Sequence, residues 1–365
     1  MGRMKDWQIE YDGTRYDAFP DSHEVFILGA GFSKAVTPDM PTMVELTNKL
    51  KELNLLSDHD SHVEDFEILL NSLSLRHPWL TEAEYLRNRA RYIDIARAIA
   101  DILRKCSRRA WSSPSPDFLK TLFDYWSTRR CTIITLNYDT LVESLFWAQS
   151  KRVPKPPEAI ERADVEGISF SRLFEDFTFL KLHGLIDWFF SGNTEYENEP
   201  IFYYRPYNTQ TSSAAEHARD DCFMRGSSHH FGPDIPPVWD KQPFIVPPLV
   251  EKTPFFKHHL LRSQWTLASQ ALKRARRLFF IGYSMPLTDL TIRYLLTTAS
   301  WNAEHEDPVM CTIVDRNSKV AKRYEEALGT GSPSNVHYKI GHVISGTNCL
   351  SQLARTLDRE ATLKQ

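Results

Sequence analysis

Short apolar runs alternate with amphipathic helical patterns along much of the chain. Five runs rich in β-branched and aromatic residues predict buried parallel strands, which begin near Val25, Cys131, Phe177, Arg277 and Cys311. The stretch VHYKIGH, nearer the carboxyl end of the sequence, predicts a sixth strand. Apolar residues at helical spacing follow most of these runs. The pattern predicts an α/β fold, a Rossmann-like parallel sheet with helices on both faces and an inserted helical subdomain.

Two segments interrupt this alternation. Residues 60–126 contain successive amphipathic helical patterns with few strand signals, and they predict a helical insertion between two strands. Residues 192–248 are rich in Asn, Ser, His, Pro and Tyr and show little periodicity, so they predict an irregular insertion. We expect both segments to interrupt a single domain that spans residues 20–365.

The composition of the 365-residue chain is that of a folded globular protein, with 42% apolar residues and a formal net charge of −3. Without a basic excess, we expect no direct nucleic-acid binding. Five scattered cysteines, none in a C-x-x-C pair, are typical of a reducing compartment. No apolar run approaches the roughly 18 residues of a membrane span, and the first residues lack the apolar core of a signal peptide. We expect a cytoplasmic protein that does not associate with membranes.

The predicted strands end in polar residues or glycines. In an open parallel sheet, ligands bind beyond the carboxyl ends of the strands, so residues at five such ends would share one rim. Taken singly, each of these residues could have a purely structural role. The glycines could form tight turns, Asn137 or Asp139 could cap a helix, and His183 could be a core histidine. Together they predict a binding site. The residues are Gly29, Gly31 and Ser33; Asn137 and Asp139; His183; Gly282 and Ser284; Asp315 and Asn317.

The stretch VFILGAGFSKA places two glycines between an apolar strand and a helical pattern. Backbone N–H groups at a helix N-terminus bind phosphate, and glycine lets a ligand approach closely, so Gly29 and Gly31 indicate a nucleotide site. The dinucleotide fingerprint of dehydrogenases would need a third glycine where Lys34 stands, and a Walker loop would need Gly-Lys-Ser or Gly-Lys-Thr. The sequence matches neither pattern.

Four motifs, in this order, resemble the sirtuin superfamily and in particular its bacterial sirtuin-like NADase branch. GAGFS at 29–33 resembles the first NAD-binding loop of that family, and TLNYD resembles its Asn-x-Asp motif. KLHG resembles the catalytic histidine motif, and IGYSMP resembles the second ribose-contacting loop. The resemblance spans about Val25 to Asn317. It implies a Rossmann-like NAD⁺ site within a sirtuin-like catalytic domain at residues 20–365.

The resemblance also implies roles for individual residues. His183 would act on the ribose hydroxyls, and Asn137 and Asp139 would surround the nicotinamide ribose and carboxamide, so these three are the predicted catalytic residues. An imidazole can accept a proton near neutral pH. We expect helix N-termini after Gly31 and Gly282 to hold the pyrophosphate. The predicted cofactor-binding residues are Gly29, Ala30, Gly31, Phe32, Ser33, Gly282, Ser284, Asp315 and Asn317.

Two features depart from the pattern of the family's protein deacylases. Leu136 stands where deacylases carry a glutamine. The four zinc cysteines expected between KLHG and IGYS are missing, and only Cys222 lies in that interval. Adjacent histidines at 229–230 and 258–259 point apart in a strand or a helix and do not predict a metal site. We therefore expect neither zinc nor another metal.

These observations predict an NAD⁺ hydrolase that releases nicotinamide and ADP-ribose, with NAD⁺ as its substrate. An NAD-dependent protein deacylase and a non-catalytic NAD or ADP-ribose sensor are the alternatives. The resemblance implies an NAD-depleting effector of abortive infection in antiphage defence, working beside a separate partner such as a HerA-type ATPase. Because such an enzyme needs an off state, we expect a homo-oligomer, with the exposed apolar positions of residues 60–126 as its assembly surface.

Overall fold

A computed structural model of the chain describes residues 8–11, 14–17, 23–56, 65–111, 113–150, 177–191, 202–203, 241–247, 258–287, 289–301, 303, 307–330 and 337–362. The strands are β1 (Gln8–Tyr11), β2 (Thr14–Asp17), β3 (Glu24–Leu28), β4 (Thr132–Thr135), β5 (Thr178–Lys181), β6 (Gly184–Phe190), β7 (Phe202–Tyr203), β8 (Gln242–Ile245), β9 (Arg277–Ile281), β10 (Val309–Asp315) and β11 (Tyr338–Ser345). The helices are α1 (Ala30–Val36), α2 (Met43–Glu52), α3 (Phe66–Ser74), α4 (Glu82–Trp111), α5 (Asp117–Arg129), α6 (Leu141–Ser150), α7 (His259–Arg274), α8 (Leu290–Trp301), α9 (Val320–Leu328) and α10 (Cys349–Thr362).

Six parallel strands form the central sheet, in the spatial order β11-β10-β9-β3-β4-β5. From β3 the chain builds the sheet outward through β4 and β5. It then returns to place β9 on the other side of β3, and continues through β10 to β11. The strand order therefore reverses between β3 and β9, which is the crevice where Rossmann-like sheets bind ligands. The predicted fold class is confirmed, and so are the six predicted strands.

The alternation of side chains along β3 divides the core into two parts. Phe26 and Leu28 lie in one cluster of buried apolar residues, and Val25 and Ile27 lie in the other. Successive residues of a strand point to opposite faces, so each face of the sheet carries its own core. On the first face, the ring of Phe26 stacks on that of Phe279 in β9, with 4.3 Å between the centroids.

Each face of the sheet has its own set of helices, as the sequence predicts. Side chains of α1, α3, α4, α5 and α10 contribute to the cluster that contains Phe26. Those of α8 and α9 contribute to the cluster that contains Val25, and α7 contributes to both clusters. Trp126 of α5 is fully buried and meets the ring of Phe26 edge-on, at 5.6 Å between centroids. Burial of these large apolar side chains on both faces stabilises the sheet.

Helices α3, α4 and α5 lie between β3 and β4, and they fall within the predicted insertion at residues 60–126 except for the last three residues of α5. Asp65 caps α3, because its side chain accepts a hydrogen bond from the backbone N–H of Glu67 at 2.8 Å. Thr81 and Glu84 form a capping box at the start of α4. The caps fix where these two helices begin. The division of residues 20–365 into one domain with two insertions stays a prediction.

The predicted strand around His183 divides into two strands of different sheets. β5 ends at Lys181 in the parallel sheet, whereas β6 begins at Gly184 and pairs antiparallel with β7 and β8. Gly184 permits the change of direction, because its φ is +74° and a Cβ there would lie 2.0 Å from the carbonyl oxygen of Phe244. His183 therefore lies in the turn between two sheets.

Residues 192–248, predicted to be irregular, lie outside the described residues except for 202–203 and 241–247, which contain β7 and β8. Strands β1 and β2 form an antiparallel hairpin that the sequence pattern does not predict. None of the described helices combines the length and the apolar character that crossing a bilayer requires.

Candidate functional site

A cavity of about 750 Å³ lies at the carboxyl ends of the parallel strands, around the point where β3 and β9 meet. The predicted site residues that line it are Gly29, Ala30, Gly31, Ser33, Asn137, Asp139, His183, Gly282, Ser284 and Asp315. The structure thus brings together residues from the ends of five strands that are far apart in sequence. This is the arrangement that the parallel sheet imposes on its carboxyl ends.

Phe32 and Asn317 are the predicted site residues that do not line the cavity. Phe32 is 1% exposed and packs in the core, with its ring centroid 6.4 Å from that of Trp126. Asn317 follows β10, and its Oδ1 accepts a hydrogen bond from the backbone N–H of Lys319 at 3.0 Å. Phe32 is therefore a packing residue of α1, and Asn317 organises the turn that leads to α9.

The glycines of the cavity pack against one another. A Cβ on Gly29 would lie 2.6 Å from the Cα of Tyr283, and one on Gly31 would lie 2.8 Å from the Cα of Gly282. Gly282 itself has a φ of +61°, and a Cβ there would lie 2.2 Å from the backbone nitrogen of Phe32. The glycines therefore bring two chain segments together at the strand switch point, whereas the sequence pattern predicts that they admit a ligand.

Two backbone N–H groups of the GAG turn, and that of the residue after it, donate hydrogen bonds within the protein. Gly29 N–H donates to the carbonyl oxygen of Ile281 at 3.0 Å, and Gly31 N–H donates to that of Gly282 at 2.8 Å. Phe32 N–H donates to the carbonyl oxygen of Gly29 at 2.9 Å. The phosphate site predicted at this turn therefore lacks three of the donors that it would use.

The helix predicted after Gly282 is separated from this glycine by a non-helical segment. Helix α8 begins at Leu290. Met285 has a φ of +50°, which an α-helix does not allow, and Pro286 disfavours helical backbone in the residue before it. Residues 282–287 therefore form an irregular segment beside the cavity.

Ser33 connects the two polar residues that follow β4. Its hydroxyl donates to Asp139 Oδ2 at 2.6 Å and accepts from Asn137 Nδ2 at 2.9 Å. Asn137 Nδ2 also donates to the carbonyl oxygen of Gly29, at 3.0 Å. Asp139 Oδ1 accepts from the backbone N–H of Leu141 at 3.0 Å, so both of its oxygens have a donor. Asp139 thus caps α6 and holds Ser33, and Ser33 in turn holds Asn137.

Burial raises the pKa of Asp139 to about 6, although the hydrogen bonds from Ser33 and from the backbone of Leu141 oppose the rise. The nearby charge of Glu143 adds to it. The charge of the Ser33–Asp139–Asn137 network therefore depends on pH in the weakly acidic range.

His183 lies buried in the turn between β5 and β6. Its Nδ1 is 3.2 Å from the carbonyl oxygen of Leu136, and because a carbonyl only accepts, Nδ1 carries the proton. In the neutral ring the basic nitrogen is therefore Nε2, which lies 3.9 Å from Asp289 Oδ2. The ring centroids of Tyr138 and Trp265 lie 6.2 Å and 6.4 Å from that of the imidazole. These contacts hold the ring in one orientation and one tautomer.

Asp289 and Tyr283 also line the cavity, although the sequence analysis does not single them out. The Tyr283 hydroxyl donates to Asp289 Oδ2 at 2.9 Å, and Asp289 Oδ1 accepts from the backbone N–H of Ile292 at 3.4 Å. Burial, followed by the charge of Asp289, raises the pKa of Tyr283 well above its usual value. In sequence, Asp289 precedes a helical pattern, which is a signal for a helix cap but not for a neighbour of His183.

Helix α3 reaches the cavity through Phe66 and Glu67. The hydroxyl of Tyr138 donates to Glu67 Oε1 at 2.8 Å, and burial followed by the Glu67 charge raises the pKa of Tyr138 well above its usual value. Neither Glu67 nor Tyr138 is among the predicted site residues, and the place of Tyr138 inside TLNYD is the one sequence signal that points to the site. The helical segment between β3 and β4 therefore contributes to the cavity wall.

The far end of the cavity lies at the end of β10. Asp315 lines it, and Asp315 Oδ1 accepts from the backbone N–H of Asn317 at 2.8 Å. Burial raises the pKa of Asp315, although this hydrogen bond opposes the rise. Ser284 and Arg316 are exposed residues of the same lining. This end of the cavity therefore combines a carboxylate, a hydroxyl and a guanidinium.

Neither a metal cluster nor a family match identifies the site. In the part of the chain that the structure describes, no group of three or more His, Cys, Asp or Glu side chains is placed to hold a metal ion. Comparison with models of protein families gives no match, and no curated protein matches the sequence significantly. The function is therefore inferred from the cavity and from the sequence motifs that line it.

Proposed function

We propose that this chain hydrolyses NAD⁺ to nicotinamide and ADP-ribose. The observation that carries the proposal is that His183, with its basic Nε2, and Asn137 line one cavity at the strand switch point. The volume of about 750 Å³ falls in the range of cofactor-sized pockets. The four sirtuin-like motifs contribute residues to this same cavity, which supports NAD⁺ as the ligand.

The chemistry needs positioning and charge stabilisation more than a strong acid. Nicotinamide leaves as a neutral pyridine, and the ribose becomes positively charged at its anomeric carbon while water attacks. A base near neutral pH then accepts the proton that the reaction releases. His183 Nε2 has this role in the proposal, because the hydrogen bond of Nδ1 to Leu136 leaves Nε2 as the basic nitrogen.

Asn137 and Asp139 have different roles in the proposal. Asn137 orients the ribose or the attacking water, since its amide is held by Gly29 and Ser33. Asp139 supports Ser33, because both of its oxygens already accept hydrogen bonds within the protein. We therefore assign to Asp139 a positioning role, in place of the contact with the nicotinamide carboxamide or ribose that the sequence motif predicts.

The remaining groups suit the adenosine half of the dinucleotide. Because the backbone N–H groups of Gly29, Gly31 and Phe32 are engaged, we assign the pyrophosphate to the Ser284 hydroxyl and the Arg316 guanidinium. Asp315, at the end of β10, is then suited to accept hydrogen bonds from the adenosine ribose. No zinc enters the proposed reaction.

The wider role is proposed from the family resemblance. An NAD⁺-depleting effector in antiphage defence would act as a cytoplasmic homo-oligomer, controlled by a separate partner such as a HerA-type ATPase. Exposed apolar side chains support a protein interface on the helical segment between β3 and β4, because water does not favour such groups. They are Ile68, Trp79 and Leu86.

Measuring nicotinamide release from NAD⁺ in a variant series tests the site. His183→Ala and Asn137→Ala should each reduce release by about 100-fold or more, since each removes a group that acts on the ribose or the water. His342→Ala is the matched control, because His342 is exposed on β11 and does not line the cavity. Full activity in both site variants would contradict the proposal.

The same assay separates the alternatives. Nicotinamide release that requires an acylated peptide and yields O-acyl-ADP-ribose would identify a deacylase. Tight NAD⁺ or ADP-ribose binding by calorimetry, without turnover in the presence or absence of the candidate partner, would identify a sensor.

A further inference from the structure

We infer that Asp289 is a positioning residue for His183. Its carboxylate faces the imidazole and pairs with the imidazolium that forms when Nε2 takes up a proton. The catalytic consequence rests on the proposed NAD⁺ hydrolysis, whereas the pairing of the two side chains does not.

The geometry supports a pair that becomes an ion pair on protonation. Asp289 Oδ2 lies 3.9 Å from His183 Nε2, beyond a hydrogen bond but within reach of an ion pair. Both side chains are almost completely buried. A buried imidazolium is costly unless a charge compensates it, so a carboxylate at this distance favours the protonated ring.

Two further contacts hold the carboxylate in place. The Tyr283 hydroxyl donates to the same oxygen that faces His183, at 2.9 Å. The other oxygen, Oδ1, accepts from the backbone N–H of Ile292 at 3.4 Å, at the start of α8. The opposite side of the ring is held as well, because Nδ1 donates to the carbonyl oxygen of Leu136. The imidazole is therefore held through Nδ1, and its Nε2 faces a carboxylate that is itself held in place.

The proposed reaction releases a proton, and the pair of His183 and Asp289 can accept it. The bond between the anomeric carbon and nicotinamide breaks with its electron pair on the pyridine nitrogen, and a bond from the water oxygen forms. One proton of the water passes to His183 Nε2 and later to solvent, so one proton is released per NAD⁺ consumed. Asp289 stabilises the imidazolium that exists between these two transfers.

Four other titratable groups of the described cavity lining do not replace Asp289. Tyr283 and Tyr138 have pKa values raised well above the usual range by burial, so both phenols stay neutral. Glu67 bonds to Tyr138, and Asp139 bonds to Ser33. An Asp289 variant keeps all four side chains and alters the hydrogen bond of Tyr283 alone among them, and Tyr283→Phe measures that contribution separately.

Nitrogen-15 NMR of histidine-labelled protein tests the pairing directly, with the His183 signal identified by its loss in His183→Gln. Asp289→Asn keeps the shape and the oxygen that caps α8, and should lower the titration midpoint of His183 by about one pH unit. Tyr283→Phe removes the hydroxyl that shares Oδ2, and should raise the midpoint. Thr81→Ala removes a cap of α4 outside the cavity lining, and should leave it unchanged.

A midpoint in Asp289→Asn that equals or exceeds that of the wild type would overturn the pairing. If Asp289→Asn does not fold, Tyr283→Phe decides, and an unchanged or lower midpoint there would overturn it. In the nicotinamide assay, Asp289→Asn should lower kcat about tenfold or more with little change in KM. A wild type that releases no nicotinamide, but shows the expected midpoint shifts, would leave the pairing in place and refute the proposed function.

Discussion

The hydroxyl of Tyr138 donates a 2.8 Å hydrogen bond to Glu67, and this contact joins the turn after β4 to helix α3. Tyr138 stands between Asn137 and Asp139, and both partners of the bond are buried. A displacement of α3 would therefore also shift the backbone of the residues on either side of Tyr138. The helical segment between β3 and β4 is in this way part of the site's support.

We predict that Tyr138→Phe lowers the free energy of unfolding by about 1–3 kcal/mol, because the buried Glu67 carboxylate loses this donor. Tyr294→Phe is the matched control, since that side chain is 67% exposed. It should change stability by less than about 0.5 kcal/mol. Urea unfolding followed by circular dichroism measures both variants. Equal stability of Tyr138→Phe and wild type would show that the bond contributes no net energy.

The packing at the switch point predicts that Gly282→Ala is severely destabilising. Alanine would have to adopt a φ of +61° and place its Cβ 2.2 Å from the backbone nitrogen of Phe32. We expect a loss of about 3 kcal/mol or more, measured by thermal unfolding.

Gly341→Ala provides the control for this glycine. Its Cβ would meet the flexible end of Met310 at 2.8 Å, so the side chain can move aside. We expect a cost below about 1 kcal/mol. Similar melting temperatures for the two variants would contradict the view that Gly282 is required by backbone packing.

The raised pKa of Asp139, about 6, predicts how stability depends on pH. The folded protein binds a proton on this carboxyl more tightly than the unfolded chain does. Its contribution to stability is therefore fully present below the unfolded pKa of about 4 and is lost as the pH rises through about 6. Relative to Asp139→Asn, the wild type should gain on the order of 2 kcal/mol as the pH falls from about 7 to about 4. Urea unfolding across this range measures the difference, and a constant difference would refute the prediction.

The sheet could be predicted from the sequence because a buried parallel strand needs a continuous run of apolar residues. The stretches EVFIL and RLFFI both show such a run, and they form β3 and β9. The same reasoning brings their ends to one rim, which is why most predicted site residues line one cavity. The hairpin of β1 and β2 has no comparable run, so the pattern does not reveal it.

The contacts within the site could not be predicted, because they join distant parts of the chain. The packing of α8 against the sheet brings the Asp289 carboxylate near the His183 imidazole. The position of α3 brings the Glu67 carboxylate within hydrogen-bond distance of the Tyr138 hydroxyl. Glycines at 29 and 31 could make room either for a ligand or for a neighbouring backbone segment, and the sequence does not distinguish the two. The structure shows that the backbone of Gly282 packs against Gly31.

The proposed assembly surface predicts a change in self-association. Trp79 is 74% exposed and Leu86 is 58% exposed, on the helical segment between β3 and β4. Replacing both by serine should weaken self-association about tenfold or more, as measured by analytical ultracentrifugation. Leu287→Ser, at a side chain that is 72% exposed elsewhere, should have no effect. A monomeric wild type at micromolar concentration would contradict the proposal.

The central claim is that water takes the place of nicotinamide on the ribose of NAD⁺. Product analysis of NAD⁺ incubated with the wild-type chain tests it most directly, with and without an acylated peptide and with and without the candidate ATPase. We predict nicotinamide and ADP-ribose in equal amounts, independent of the peptide. NAD⁺ that stays intact under all these conditions, or nicotinamide that appears only with the peptide, would contradict the claim.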